Sequence, residues 1–305
     1  SAASDVYKRQ LYDNAQMLPL LAAALTLGDD DLFAGTLASI VDWMRDNLLD
    51  TGGAFFAGED GESGGQNGQH YLWRREQLKK LLSEDEYLLV ETLFGLDKLA
   101  NIENRWNLHR HDSYRSVVER LSLTSAEADA LFASAKQKMR SARAAADIQP
   151  TIDRKVITGW NGLAIKGLAD AGRSNNQGEW IAMAGQCAPF LRQSCWDGEM
   201  LYSTWHESRL GHPAFLDDYA NVLGGLHSLL QCRWDDDDAA FARQLADVVL
   251  SKFYDNDDGG FYFAPMDIEP LIYAPKPTLD ETLPPGNATL ALVLNRLGLL
   301  FGEQR

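Results

Sequence analysis

Phe215-Leu216-Asp217-Asp218-Tyr219-Ala220-Asn221 puts two adjacent carboxylates and a tyrosine where a helical apolar pattern begins. Three other stretches share this character: Leu11-Tyr12-Asp13-Asn14-Ala15, Gly159-Trp160-Asn161-Gly162-Leu163 and Pro285-Gly286-Asn287-Ala288. Each opens an apolar helix with an Asp, an Asn or both beside a Tyr, Trp or Gly. Outward from each start, the helix leads to a partner helix and then to a glycine turn. Asn14 leads to Gly52, Asn161 to Gly198 and Tyr219 to Gly259. A spacing of roughly 37 to 40 residues lies in the range where a fixed period marks stacked supersecondary units. Three α-hairpins and a partial fourth, joined by β-hairpins on one face, predict an all-α fold: an incomplete (α/α)6 six-hairpin toroid.

The local signals fill in this frame. Leu11 to Leu27 reads as a helix stopped by Gly28, with Pro19 predicted to kink it or shift its start. Asp29-Asp30-Asp31 cap a second helix to about Leu49, with Phe33, Leu37, Ile40, Val41 and Met44 on one stripe. Aromatic runs at Ala54-Phe55-Phe56 and His70-Tyr71-Leu72-Trp73 flank a Gly-rich loop bearing Glu59, Asp60 and Glu62, the pattern of a β-hairpin with a long tip. From about 74 to 150 the repeat is interrupted by Lys/Glu-rich helices at 76–82 and 126–145, predicting a helical insertion. The repeat resumes with helices to about Ala171, from Glu179 to Ser194, from Asp217 to Gln231 and from Phe241 to Tyr254, the last capped by Asp235 to Asp238. His206 to His212 form a hairpin tip. A further hairpin runs through Leu271-Ile272-Tyr273 to Asp280-Glu281, and a helix from Asn287 to about Phe301 ends the pattern. Trp43, Trp180 and Trp234 fall in helices and are predicted to be core. Residues 1–10 are polar, with no signal-peptide core, and read as a foreign or truncated end before the partial toroid of 11–305.

Composition narrows the function. A formal charge of −16 repels a phosphate backbone, and no basic stripe offsets it, so nucleic acid is not an expected partner. The longest apolar run, near Leu18 to Leu27, is far short of a span, and no membrane contact is expected. Cys187, Cys195 and Cys232 form no CxxC pair, which argues against a disulfide framework or zinc ribbon and for a reducing, cytoplasmic setting. Asp255-Asn256-Asp257-Asp258-Gly259 faintly resembles a calcium loop, but Met266 stands where the bidentate Glu belongs. Asn221, four residues after Asp217, denies that stretch a magnesium motif. His109 and His111 lack a partner cluster, so no metal and no cofactor are expected.

Taken together, Leu11-Tyr12-Asp13-Asn14-Ala15-Gln16, Gly53-Ala54-Phe55-Phe56 with Glu59-Asp60-Gly61-Glu62-Ser63, Asp153-Arg154-Lys155-Val156-Ile157-Thr158-Gly159-Trp160-Asn161-Gly162-Leu163, Leu216-Asp217-Asp218-Tyr219-Ala220 and Pro285-Gly286-Asn287 resemble a known family. It is the thioredoxin-domain-containing, spermatogenesis-associated protein 20-type family, in its C-terminal six-hairpin barrel. The resemblance implies an upstream thioredoxin-like domain in the longer chain, whose cysteine motif and redox role do not carry over to these residues. It also implies a barrel like those of six-hairpin glycosidases and N-acylglucosamine 2-epimerase-type enzymes, hence a sugar-related pocket.

Connections on one face of a toroid converge, so Tyr12, Asp13, Asn14, Lys155, Trp160, Asn161, Asp217, Asp218, Tyr219, Asp280, Glu281 and Asn287 are the expected site residues. Sugars require paired donors and acceptors with an aromatic plane. Glycoside hydrolysis requires two carboxylates about 5 to 9.5 Å apart. Asp217 or Asp218, with Asp13 or Asp280, are the candidate catalytic pairs, with Trp160 and Tyr219 as stacking platforms. Asp and Asn at helix starts are also ordinary caps, but a single cap needs only one carboxylate, and adjacent charges repel unless something binds them. A sugar epimerase would use a histidine pair, yet His70, His206, His212 and His227 do not fall at equivalent repeat positions, which favours hydrolysis. The other class considered is a non-catalytic scaffold for the attached thioredoxin-like domain.

Overall fold

The computed structural model describes residues 9–28, 31–63, 66–68, 70–267 and 273–303. The expected Asp29-Asp30 cap, the reading of residues 1–8 and the Leu271-Ile272 return lie outside those residues. One unit spans Asp60–Thr151; the other joins Arg9–Glu59 to Ile152–Arg305.

In the second unit, β1 (Arg9–Gln10) leads into α1 (Leu11–Leu25), followed by α2 (Asp31–Trp43) and a π-helical turn at Met44–Leu48. β2 (Gly58–Glu59) pairs antiparallel with β1. The other unit holds the β3 (Glu62–Ser63) and β4 (Gln66–Asn67) hairpin and helices α3 (Arg75–Leu81), α4 (Glu84–Phe94), α5 (Tyr114–Arg120) and α6 (Ser125–Ala144). Ser83 caps α4 and Thr124 caps α6, each with a reciprocal Glu three residues on. In the second unit β5 (Ile152–Asp153) completes the β1–β2 sheet. There follow β6 (Val156–Ile157), α7 (Thr158–Ser174), α8 (Gly178–Ser194), the hairpin of β7 (Thr204–His206) and β8 (Arg209–Leu210), α9 (Leu216–Cys232), α10 (Asp236–Lys252) and α11 (Gly286–Phe301). This is the all-α, incomplete (α/α)6 toroid expected from the repeat, with α1, α7, α9 and α11 as inner helices and α2, α8 and α10 as their outer partners.

Glycines let neighbouring inner helices approach closely at particular points. A Cβ at Gly225 would stand 2.5 Å from the Gly162 carbonyl oxygen, so α7 and α9 meet backbone to backbone. Pro19 does not break α1, which begins at Leu11 and runs through it. Lacking an N–H, Pro19 leaves the Ala15 carbonyl without its helical partner, and α7 turns Gly167 toward that oxygen, where a Cβ would stand 2.6 Å away. The core around these contacts includes fully buried Leu11, Leu18, Leu168, Leu216, Leu226, Phe241 and Phe253. Trp43 and Trp180 pack against it in part. Trp234 departs from expectation: it precedes α10, is 56% exposed, and meets only the edge of Phe301 at 6.4 Å among the ring pairs.

Candidate functional site

Each hairpin ends in a turn that the next inner helix grips. Leu49 bridges Phe55, Trp196 bridges Leu201, and Tyr254 bridges Phe261, around turns in which Gly53, Gly198 and Gly259 take positive φ. The Phe55 amide donates to Asn161 Oδ1 at 2.8 Å, and Asn161 Nδ2 donates to the carbonyls of Phe55 and Ile157 at 3.0 Å each. The Leu201 amide donates to the Tyr219 hydroxyl oxygen at 2.9 Å. The Phe261 amide donates to Asn287 Oδ1 at 2.8 Å, and Asn287 Nδ2 returns a bond to its carbonyl at 2.8 Å. Asn161, Tyr219 and Asn287 thus hold the same place in successive repeats. Asn161 and Tyr219 are buried, Asn161 also accepting from Cys187 Sγ.

The N-terminal ends of the inner helices are joined in a ring. Tyr12 and Trp160 bring α1 and α7 together, with ring centroids 4.7 Å apart. The Gly159 amide donates to Asp218 Oδ1 at 3.1 Å, joining α7 to α9, while Asp218 Oδ2 accepts from the Phe215 amide at 3.0 Å. The Gly286 amide donates to Asp217 Oδ1 at 2.8 Å, joining α9 to α11. Gln16 Nε2 donates to the Thr282 carbonyl at 3.2 Å, joining α1 to the loop before α11. Glycine is needed at both carboxylate contacts, since a Cβ would stand 2.6 Å from Asp218 Oδ1 at position 159 and 2.5 Å from Asp217 Oδ1 at position 286.

The adjacent carboxylates therefore have separate tasks, one on each neighbouring helix. Asp218 is half-buried as a residue, but protein encloses its carboxyl group, and that burial lifts its pKa to about 7 against two amide bonds that lower it. Asp217 is half-buried with one oxygen bonded; burial raises it, the Gly286 amide lowers it, and the charge of Glu281 raises it further. Asp13 is exposed on the first turn of α1, raised by partial desolvation and lowered by a bond from Tyr12. The ring thus gathers Tyr12, Asp13, Trp160 and Asp217, with Glu281 on the loop that Gln16 ties down. Asn14 turns back to donate to the Gln10 carbonyl at 2.8 Å. Lys155 is exposed and pairs with Asp153 at 3.1 Å, and Asp280 is exposed. A cavity of about 780 Å³ is lined by residues of α10 and α11 and by Gly302 and Glu303; none of the expected site residues borders it.

Gln16, Thr282 and the two helix-start glycines escaped the sequence reading as parts of the site. Gln16 closes the first quoted motif, and the glycines sit within theirs. The usable signal was that a glycine stands where ordinary helix starts have no need of one.

No family model matches the chain. The resemblance read from the motifs is borne out: the rat protein named spermatogenesis-associated protein 20 is 26% identical over 98% of this chain and 42% of its own length. The human protein of that name is 25% identical over 84% of this chain and 37% of its own length. The chain thus spans less than half the length of these relatives. Among solved structures, the cellobiose 2-epimerase of Bacillus thermoamylovorans B4167 superposes with a TM-score of 0.51 at 8% identity, over 84% of this chain and 48% of the other. A glycosyl hydrolase family 88 protein from Bacteroides vulgatus gives a TM-score of 0.50 at 7% identity, over 96% and 62%. At such identities the likeness is one of fold, and that fold is one found in carbohydrate-active enzymes.

Proposed function

We propose that the ring of inner-helix N-termini binds and converts a carbohydrate. The observation that carries this reading is the Tyr12–Trp160 aromatic pair at the starts of α1 and α7, with Asp13 bonded by Tyr12 on the first turn of α1 and Asp217, under the charge of Glu281, on the first turn of α9. The aromatic pair offers apolar surface for a sugar ring, and the carboxylates offer acceptors for its hydroxyls. Asp217 is the general acid or base: one oxygen is fixed by Gly286, and burial and Glu281 favour its protonated form. Asp13 is its partner carboxylate. Asp218, Tyr219, Asn161 and Asn287 belong to the frame, since their polar atoms are engaged with backbone. Lys155, Asn14 and Asp280 are assigned outside the binding groups. The partner is thus a small sugar, and in the longer protein a thioredoxin-like domain is a further attached element. A scaffold role alone would explain the latches but gives no reason for an Asp217 raised by burial and by the charge of Glu281, with one oxygen bonded to the Gly286 amide.

The test is a thermal-shift screen of the chain against mono- and oligosaccharides, with the Asp217→Asn and Trp160→Phe variants. A sugar that raises the melting temperature of the wild type, and less so that of both variants, supports the reading. A panel with no shift, or a shift that survives both substitutions, overturns it.

A further inference from the structure

Asn14 stands in α1 where Asn161 stands in α7 and Tyr219 in α9: each is the fourth residue of its inner helix. Three further relations tie Asn14 to Asn161. The interval between them equals that from Leu49 to Trp196, the residues that open the first two turn bridges. Each helix follows directly on a short strand, whose last residue, Gln10 or Ile157, is extended and pairs antiparallel with a strand beyond the next outer helix. Each asparagine turns its Nδ2 back to that residue, Asn14 to the Gln10 carbonyl at 2.8 Å and Asn161 to the Ile157 carbonyl at 3.0 Å.

The likeness ends at the acceptor. Asn161 Oδ1 takes the Phe55 amide at 2.8 Å, whereas Asn14 Oδ1, on a half-buried residue, accepts no hydrogen bond among the described residues. A planar amide whose N–H is fixed also has its oxygen fixed, so Asn14 is set to receive a donor along the line on which Asn161 receives Phe55. The turn that Asn161 holds rests on α8 as well: a Cβ at Gly53 would stand 2.8 Å from the Gln186 carbonyl oxygen, and one at Gly52 3.0 Å from the Phe190 ring. The same sequence interval carries Gln186 to Ser39 and Phe190 to Trp43 on α2, both half-buried. Asn14, Ser39 and Trp43 thus repeat, on α1 and α2, the positions at which α7 and α8 seat a glycine turn.

We propose that Asn14 is a fourth latch, whose open oxygen receives the backbone amide of a glycine turn from a hairpin that precedes α1 in the longer protein. A turn is the occupant because the three filled latches all hold one, and each comes from the hairpin before its latch: Phe55 before α7, Leu201 before α9 and Phe261 before α11. The relatives, more than half of whose length lies outside the part this chain matches, have room for such a hairpin. The test measures amide exchange by mass spectrometry in the longer protein. Asn14→Ala is expected to speed exchange about tenfold in a glycine-bearing segment before α1 and to leave α7 and α9 unchanged. Asn14→Asp, which keeps an oxygen acceptor, is expected to retain most of that protection. In this 305-residue chain, Asn14→Ala is expected to shift the urea midpoint far less than Asn161→Ala does. Unchanged exchange before α1 in Asn14→Ala, or an equal loss of protection in Asn14→Asp, would overturn the proposal. So would a midpoint shift in this chain as large as that of Asn161→Ala. Protection before α1 that disappears on dilution would assign the turn to a second copy and overturn it too.

Discussion

Asp217 and Asp218 are neighbours in sequence but serve opposite neighbours in space: Asp218 accepts the amide of Gly159 on α7, and Asp217 that of Gly286 on α11. Three helix N-termini are thereby stitched through one dipeptide. The first turn of α9 offsets part of the repulsion between the two carboxylates, because a helix N-terminus favours negative charge.

This arrangement predicts an inverted response to a familiar substitution. Gly→Ala within a helix ordinarily stabilises by up to about 1 kcal/mol. At position 159 or 286 the new methyl would collide with a carboxylate oxygen, and overpacking costs about 1–3 kcal/mol. Gly159→Ala and Gly286→Ala are therefore expected to lower stability in denaturant titration. Gly178→Ala at the start of α8, where nothing lies within 4 Å of the Cβ position, is expected to be neutral or stabilising. Equal behaviour of the three would contradict the stitch.

Asp218 should make stability pH-dependent in a definite direction. Its folded pKa of about 7 exceeds the ordinary carboxylate value of 3.8, so between those values the native chain holds a proton that the unfolded chain has lost. Stability then falls as pH rises through that window, with a slope approaching about 1.4 kcal/mol per pH unit, and levels off above pH 7. Because many other acids titrate below pH 5, the measurement is the difference between wild type and Asp218→Asn in urea melts from pH 4 to 8. The variant is expected to gain on the wild type as pH rises to 7, and a constant difference would reject an elevated Asp218.

The three latch residues should rank by what they leave unpaired. Asn161→Ala strands the Phe55 amide and carbonyl in a buried setting, a loss of about 2–4 kcal/mol. Tyr219→Phe deletes one acceptor of the Leu201 amide and should cost about 1–2 kcal/mol. Asn287→Ala removes equivalent bonds at a half-buried place that water can reach, so its cost should fall below that of Asn161→Ala. Chemical denaturation of the three variants tests the order.

The repeat was legible because its period, its glycine turns and its helix-start polar residues are all local in sequence, and together they dictate hairpins of one kind. The task of each polar residue was not. Asn161 reads identically whether it meets a sugar or the backbone of Phe55, 106 positions away. The inference that paired carboxylates need something to bind them was sound in its electrostatics, and three backbone amides, of Gly159, Phe215 and Gly286, bind them. Pro19 does not shift the start of α1, which begins at Leu11, and the carbonyl that it leaves unpaired is met by Gly167 in a helix far along the chain. Trp234 read as core because a helix pattern does not reveal which side of its cap faces water.

The Gln16–Thr282 bond is the tie of the ring that rests on a loop, and it makes a kinetic prediction. Thr282 and its neighbours Asp280 and Glu281 are exposed, while Leu283 packs in part against the core. An exposed hydrogen bond adds little to global stability, about 0.5–1.5 kcal/mol at most, but local opening is governed by such few contacts. Gln16→Leu is therefore expected to leave the melting temperature nearly unchanged while amide exchange speeds up around 280–283 and stays constant in α7 and α9. Burial first, and then the charge of Glu281, raise the Asp217 pKa; freeing the loop weakens the second cause and should lower the Asp217 pKa, readable by carbonyl NMR. Unchanged exchange around 280–283 would show that Leu283 alone holds the loop.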